Sequence, residues 1–146
     1  MAFNKIITHL SPEYARACDL RNTELRFPLG LSLTKMDIEE DRKAIHLGIF
    51  EDHSIIACAC LWPQHHENRS FQIRQVAVKQ EHKKSGFGRR IMGFAENVAL
   101  QNGAKEVFVH ARMPVVQFYE KLGYTIVGEI FYEVGIQHIQ MIHRLQ

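Results

Sequence analysis

No stretch of this 146-residue chain approaches the ~18 consecutive apolar residues that a membrane-crossing helix needs, so neither a helical span nor a membrane partner is expected. Charge of one sign is also missing. Eighteen Lys and Arg stand against 16 Asp and Glu, for a formal net charge of +2. Without a domain-wide basic excess, nucleic acid is not expected as a partner. Cysteine is sparse and odd in number: Cys18, Cys58 and Cys60. The latter pair sits in an apolar, strand-like run, so buried free thiols and a reducing cytoplasm are expected rather than a disulfide framework. The N-terminus lacks a basic segment followed by a long apolar run, and no signal peptide is expected. Nine histidines are scattered without an HExxH pattern or a Cys/His cluster, so no metal is expected. His65-His66-Glu67 reads as a solvated turn, because adjacent side chains of an extended segment point to opposite sides. Internal repeats and low-complexity segments are absent too.

What remains is ordinary globular material. A hydrophobic fraction of 46% is enough for a sizeable core, and the length fits one domain over residues 1–146. Residues 3–8 read as a strand. Ser11-Pro12-Glu13 then opens a helix, with Ser11 as N-cap and Pro12 in the first turn, expected to reach about Leu25. Phe27-Pro28-Leu29-Gly30 breaks it, and residues 31–41 read as a loop or short helix. Segments 44–51 and 54–61 flank Glu51-Asp52-His53 as an antiparallel hairpin. Residues 71–78 form a further strand, 86–102 a helix closed by Gly103, 105–111 a strand and 115–122 a short helix closed by Gly123. Two last strands surround Glu133-Val134-Gly135. This order predicts a mixed α/β domain with a mainly antiparallel sheet and one right-handed β–α–β crossover from 71–78 to 105–111.

The most informative stretch is Val76-Ala77-Val78 followed by Lys83-Lys84-Ser85-Gly86-Phe87-Gly88-Arg89-Arg90-Ile91. An apolar strand runs into a basic, glycine-bearing turn at the positive end of a helix dipole, which is a seat for a diphosphate. A Walker A loop would carry Lys-Ser/Thr where Arg89-Arg90 stands. A dinucleotide fingerprint would need a third glycine beside the first strand of a parallel sheet. Taken alone, Gly-x-Gly also fits a pair of glycines that serve only a tight strand-to-helix turn.

The block from Gln75 to Ile91, together with Phe118-Tyr119-Glu120-Lys121-Leu122-Gly123-Tyr124, resembles the GCN5-related N-acetyltransferase (GNAT) superfamily. The family's phosphate loop is Gln/Arg-x-x-Gly-x-Gly/Ala; here Lys83 holds the first position, and Gly86 and Gly88 hold the glycines. The family's frequent Asn after the following strand is replaced by His110-Ala111-Arg112. Tyr132 to Met141 resembles the tail of the ElaA-like branch, and Leu20-Arg21 and Leu25 to Gly30 resemble the first helix of small bacterial members. The resemblance implies a GNAT fold with a central β-bulge, placed near Val76–Ala77, and a V-shaped splay between strands 71–78 and 105–111.

It also implies acetyl-CoA as cosubstrate and acetyl transfer to a primary amine by direct attack in a ternary complex; the alternative is a non-catalytic acyl-CoA sensor. Backbone N–H groups from Lys84 to Arg89, with Ser85 and Phe87 between them, would hold the diphosphate. Val76, Ala77 and Val78 would offer a strand edge to the amides of the pantetheine arm. The Val76 N–H would face the thioester oxygen. Tyr119 matches the family's tyrosine acid, while Glu133 and His138 are candidate bases from the tail motif. Arg21 and Arg26, near neighbours on the first helix, are candidates for an acidic substrate or a solvated helix face. Gln75, beside the cofactor strand, is a further substrate candidate. The acceptor stays open between a small metabolite, an antibiotic, a peptide terminus and a lysine. Exposed strand edges near the C-terminus allow a homodimer.

Overall fold

A computed structural model describes residues 1–64 and 69–145, so His65-His66-Glu67 lies outside the described residues. Among the described residues, seven strands form one sheet: β1 (Ala2–Ile7), β2 (Ile45–Glu51), β3 (Ser54–Pro63), β4 (Ser70–Val78), β5 (Glu106–Arg112), β6 (Thr125–Glu133) and β7 (Ile136–Arg144). Their spatial order is β1-β2-β3-β4-β5-β7-β6, antiparallel throughout except at β4–β5. Four α-helices among the described residues accompany it: α1 (Pro12–Arg21), α2 (Lys35–Glu40), α3 (Phe87–Gln101) and α4 (Val116–Lys121). No helix among the described residues is long and apolar enough to cross a membrane.

The two sheet faces are covered by different helices. On one face, Ile91, Met92, Ala95, Val98 and Ala99 of α3 recur at helical spacing and pack on Leu47, Ile49, Val107 and Val109. On the other, Tyr14, Ala17 and Leu20 of α1 pack on Ile7, Phe50, Ile55 and Cys58. The central strand β3 is therefore apolar on both sides, which explains its unbroken run from Ile55 to Leu61. Each buried Leu, Ile, Val or Met among them contributes roughly 1.5–3 kcal/mol. Cys58 and Cys60 are buried free thiols, as expected.

The first helix is shorter than expected. Ser11 Oγ accepts the Tyr14 N–H at 3.1 Å and Pro12 fills the first turn, but α-geometry ends at Arg21. Asn22–Arg26 is a π-turn and Phe27–Leu29 a 3-10 turn closed by Gly30 at φ 73°. Pro28, which lacks the amide hydrogen an α-helix would use, keeps the helix from resuming beyond the π-turn. The loop between Gly30 and β2 contains α2, opened by a reciprocal Thr34–Asp37 capping box.

The feature that positions the site is the parting of β4 from β5. They pair only at Ser70–Glu106, Phe71–Val107 and Gln72–Phe108. Beyond Gln72 the strands diverge, leaving one edge of β4 from Ile73 to Val78 without a strand partner. Between β3 and β4, Cys58 faces Ala77 and Cys60 faces Arg74, so β4 carries one extra residue there. The bulge thus includes Gln75, at φ 54°, one residue ahead of the expected Val76–Ala77. A non-glycine residue in the left-handed region is strained. Here the Gln75 amide oxygen accepts from the Arg21 Nε–H, an anchor the local sequence does not reveal.

Candidate active site

The splay of β4 and β5 opens a cleft of about 940 Å3. Val76, Ala77 and Val78 line one wall, and His110, Arg112 and Tyr119 belong to the other side. At the mouth stands the N-terminus of α3. Gly86 adopts φ 88°, no side chain caps this end, and the first closed turn is Arg90 N–H to Gly86 O at 3.0 Å. The N–H groups of Phe87, Gly88 and Arg89 precede that first bond and have no intrahelical acceptor.

The residues of this turn divide their tasks. Gly86 is demanded by its φ, and a Cβ there would meet open space. A Cβ on Gly88 would lie 3.1 Å from Phe118 Cζ, so the second glycine also lets α3 approach α4. Lys84, at φ 65°, lines the cleft with Arg89. Lys83 is committed elsewhere: its Nζ is 2.7 Å from Glu24 on the π-turn. Ser85 and Phe87 belong to the turn without lining the cleft, and the Phe87 ring packs edge-on against His82 at 5.7 Å.

Tyr119 is 8% exposed and packs edge-on against Phe118 and Tyr124, with centroids at 5.1 and 5.6 Å. Its hydroxyl has no hydrogen-bond partner among the described residues. Burial pushes its phenol up to about 12, with the Arg112 charge pulling weakly the other way.

Glu133 lines the cleft and is joined by His110, to which the sequence assigned no role. His110 Nδ1 lies 2.9 Å from Glu133 Oε1. Against a carboxylate oxygen the Nδ1–H is the donor, so Nε2 is the ring nitrogen left for another partner. His138 sits behind this pair, buried and outside the cleft lining. Its Nδ1 donates to Ile136 O at 2.9 Å, and its Nε2 is 3.9 Å from Glu133 Oε2. Phe131 fills the space between, edge-on to His110 at 5.0 Å and stacked on His138 at 5.9 Å. The strand order β5-β7-β6 brings the three polar residues together. One signal was readable: His110 is polar within a strand whose Val107, Val109 and Ala111 are buried.

Arg21 requires a correction. Neither a solvated helix face nor a ligand-facing guanidinium describes it, because it is 1% exposed. Its Nη1 and Nη2 meet Asp41 at 2.7 and 3.3 Å, and the Tyr14 hydroxyl donates to the same carboxylate at 2.5 Å. His46 Nε2 lies 2.7 Å from the Asp41 carbonyl oxygen. Arg21 therefore supports the bulge through Gln75, whereas Arg26 lines the cleft.

Burial raises the Asp41 carboxyl, but the hydrogen bonds from Arg21 and Tyr14 outweigh it and hold it below the usual carboxylate range. A depressed carboxylate stabilises the fold above its unfolded-state value and loses that contribution as pH falls through the folded one. Asp41→Asn leaves a buried, unpaired guanidinium and is expected to cost about 3–5 kcal/mol in urea denaturation at neutral pH. The gap to wild type should shrink below about pH 4. A gap that stays constant with pH would contradict the assigned ion pair.

An open mixed sheet parted at its one parallel pair, with an uncapped helix end at the mouth of the opening, defines the GNAT architecture. The chain belongs to the acetyltransferase (GNAT) family, whose model matches residues 6–124. It is 28% identical over 133 residues to the uncharacterized N-acetyltransferase YitI of Bacillus subtilis (strain 168), covering 88% of this chain and 89% of that protein. In fold it is similar to Escherichia coli ElaA, with a TM-score of 0.83, 19% identity and coverage of 99% and 100% of the two chains. It is also similar in fold to a GNAT family acetyltransferase from Elizabethkingia anophelis with acetyl-CoA bound, with a TM-score of 0.74, 18% identity and coverage of 98% and 97%.

Proposed function

We propose that this chain is an N-acetyltransferase that moves the acetyl group of acetyl-CoA to a primary amine within one ternary complex. The observation that carries the reading is the cleft between β4 and β5, with free helix amides at its mouth and an unpaired strand edge along its wall. The acetyl-CoA bound to the Elizabethkingia relative supports it.

The residues present fit such a cosubstrate. N–H groups from Lys84 to Arg89 seat the diphosphate, with the Lys84 and Arg89 charges beside it. The edge of β4 from Ile73 to Val78 pairs with pantetheine amides as another strand would. The thioester supplies an activated acetyl group and a thiolate leaving group. The Val76 N–H donates to the thioester oxygen as it gains charge. Tyr119, buried and protonated, delivers a proton to the departing sulfur. His110 Nε2 takes one proton of the incoming ammonium, and Glu133 holds the ring in that tautomer. The amine nitrogen bonds to the acetyl carbon as the C–S bond breaks, the second proton it sheds restores the Tyr119 hydroxyl, and His110 releases its proton to solvent. His138 acts behind them as a support for Glu133. The products are the N-acetyl amine and free CoA.

The partner is an amine acceptor; no nucleic acid and no membrane is invoked. The buried free thiols support a cytoplasmic setting. Exposed Ile126, Val127, Ile130 and Tyr132 on the edge strand β6 support pairing of two copies there. The primary test is calorimetry with millimolar acetyl-CoA at low ionic strength, followed by thiol release across a panel of amines. Heat of binding and amine-dependent thiol release are expected. Absence of both would end the proposal.

A further inference from the structure

We propose that the acceptor carries a carboxylate close to its amine, and that Arg26 and Arg112 grip it at the reacting end of the cleft. The inference deepens the acetyltransferase reading by giving the acceptor a chemical class: amino acids and their relatives.

The argument begins with the charges that line the cleft. Its acidic side chains, Glu24 and Glu133, are both engaged, the first by Lys83 at 2.7 Å and the second by His110 at 2.9 Å. Arg26 and Arg112 also line it, and neither forms an ion pair among the described residues. Arg26 closes the π-turn and Arg112 ends β5. The described hydrogen bond of Arg112 runs from Nη2 to the carbonyl of Leu25 at 3.3 Å, which fixes it beside Arg26's own turn. Burial, and then repulsion from Arg26, pull the Arg112 guanidinium below its usual range, against the smaller opposing pull of Glu133 and Tyr119. Neighbouring guanidiniums of like charge, partly desolvated and without an ion pair of their own, gain strongly when a carboxylate arrives. A planar carboxylate matches the guanidinium fork.

The anion in question is not the CoA diphosphate, whose seat is the helix end flanked by Lys84 and Arg89. Arg112 lies instead near Tyr119 and two positions along β5 from His110. Side chains two apart on a strand share a face, roughly 7 Å from one another. A molecule gripped by Arg112 through its carboxylate thus presents a nearby nitrogen to His110. Polycationic acceptors such as polyamines meet a cleft whose unpaired charges repel them.

The test separates binding from turnover. Glutarate, a dicarboxylate without an amine, is titrated by calorimetry into the protein free of acetyl-CoA, alongside its dimethyl ester and spermidine. Glutarate alone should bind. Arg26→Gln and Arg112→Gln should each weaken it about tenfold or more, Arg112→Lys should restore part of the loss, and acetyl-CoA affinity should stay unchanged. In turnover, amino acids should exceed their methyl esters in kcat/KM, with the Arg112→Gln defect falling on KM. Equal binding of glutarate and its ester overturns the proposal, as do arginine variants that lose acetyl-CoA instead of glutarate, or esters acetylated as well as the acids. Arginine-dependent glutarate binding without turnover of any amine would uphold this site and sink the catalytic reading.

Discussion

Tyr119→Phe should lower turnover by roughly 10²–10⁴-fold while acetyl-CoA binds as before. The lost atom is a single hydroxyl that has no hydrogen-bond partner among the described residues, so the substitution removes no bond from the fold. A purely structural tyrosine would therefore show no kinetic change at all. Burial raises the phenol to about 12, and the sign matters. An acid must keep its proton until the thiolate leaves, so a raised value preserves activity through the alkaline range and loses it only as pH approaches about 12. The measurement is steady-state thiol release in parallel with calorimetry on both proteins. Wild-type turnover in the Phe variant would remove Tyr119 from the mechanism.

His110→Ala carries the second large effect, again roughly 10²–10⁴-fold in turnover, since under the proposed mechanism it deletes the base rather than its support. Added imidazole should return part of the activity, because the space left by the ring opens into the cleft. Glu133→Gln should cost less, as the amide oxygen still accepts the Nδ1–H at the 2.9 Å site. Glu133→Ala should cost more, because the ring then loses its tautomer and its orientation. If the order were reversed, with Glu133→Gln inactive and His110→Ala active, the carboxylate itself would be the base. Thiol release with and without imidazole distinguishes the two.

Much of this architecture is legible in the sequence where the signal is local. The Ser11-Pro12 helix start, the hairpin around Asp52, the amphipathic stripe of α3 and the glycine turn are each written within a few residues. The parting of the sheet was implied by the family resemblance. Long-range pairs were not legible. Nothing near Arg21 in the sequence points to its partners: its carboxylate lies 20 residues on and its amide partner 54. His110 and Glu133 are 23 residues apart and meet only because β7 inserts between β5 and β6. No periodicity encodes a strand order. The same holds for the end of α1, where the change to a π-turn places Glu24, Leu25 and Arg26 around the cleft rather than along one helical face.

The contact between Gly88 and Phe118 has a consequence for how the molecule transmits disturbance. The glycine lies in the first turn of α3, and the ring that fills the space above it, 3.1 Å from where a Cβ would be, is the immediate neighbour of Tyr119. In the proposed mechanism, anchorage of the cosubstrate's tail and placement of the proton donor at its head would thus form one mechanical unit, with a phenyl ring as the shim. A methyl group added at the anchor would be felt as a tilt at the donor, so an alteration made for grip would register as a fault in timing.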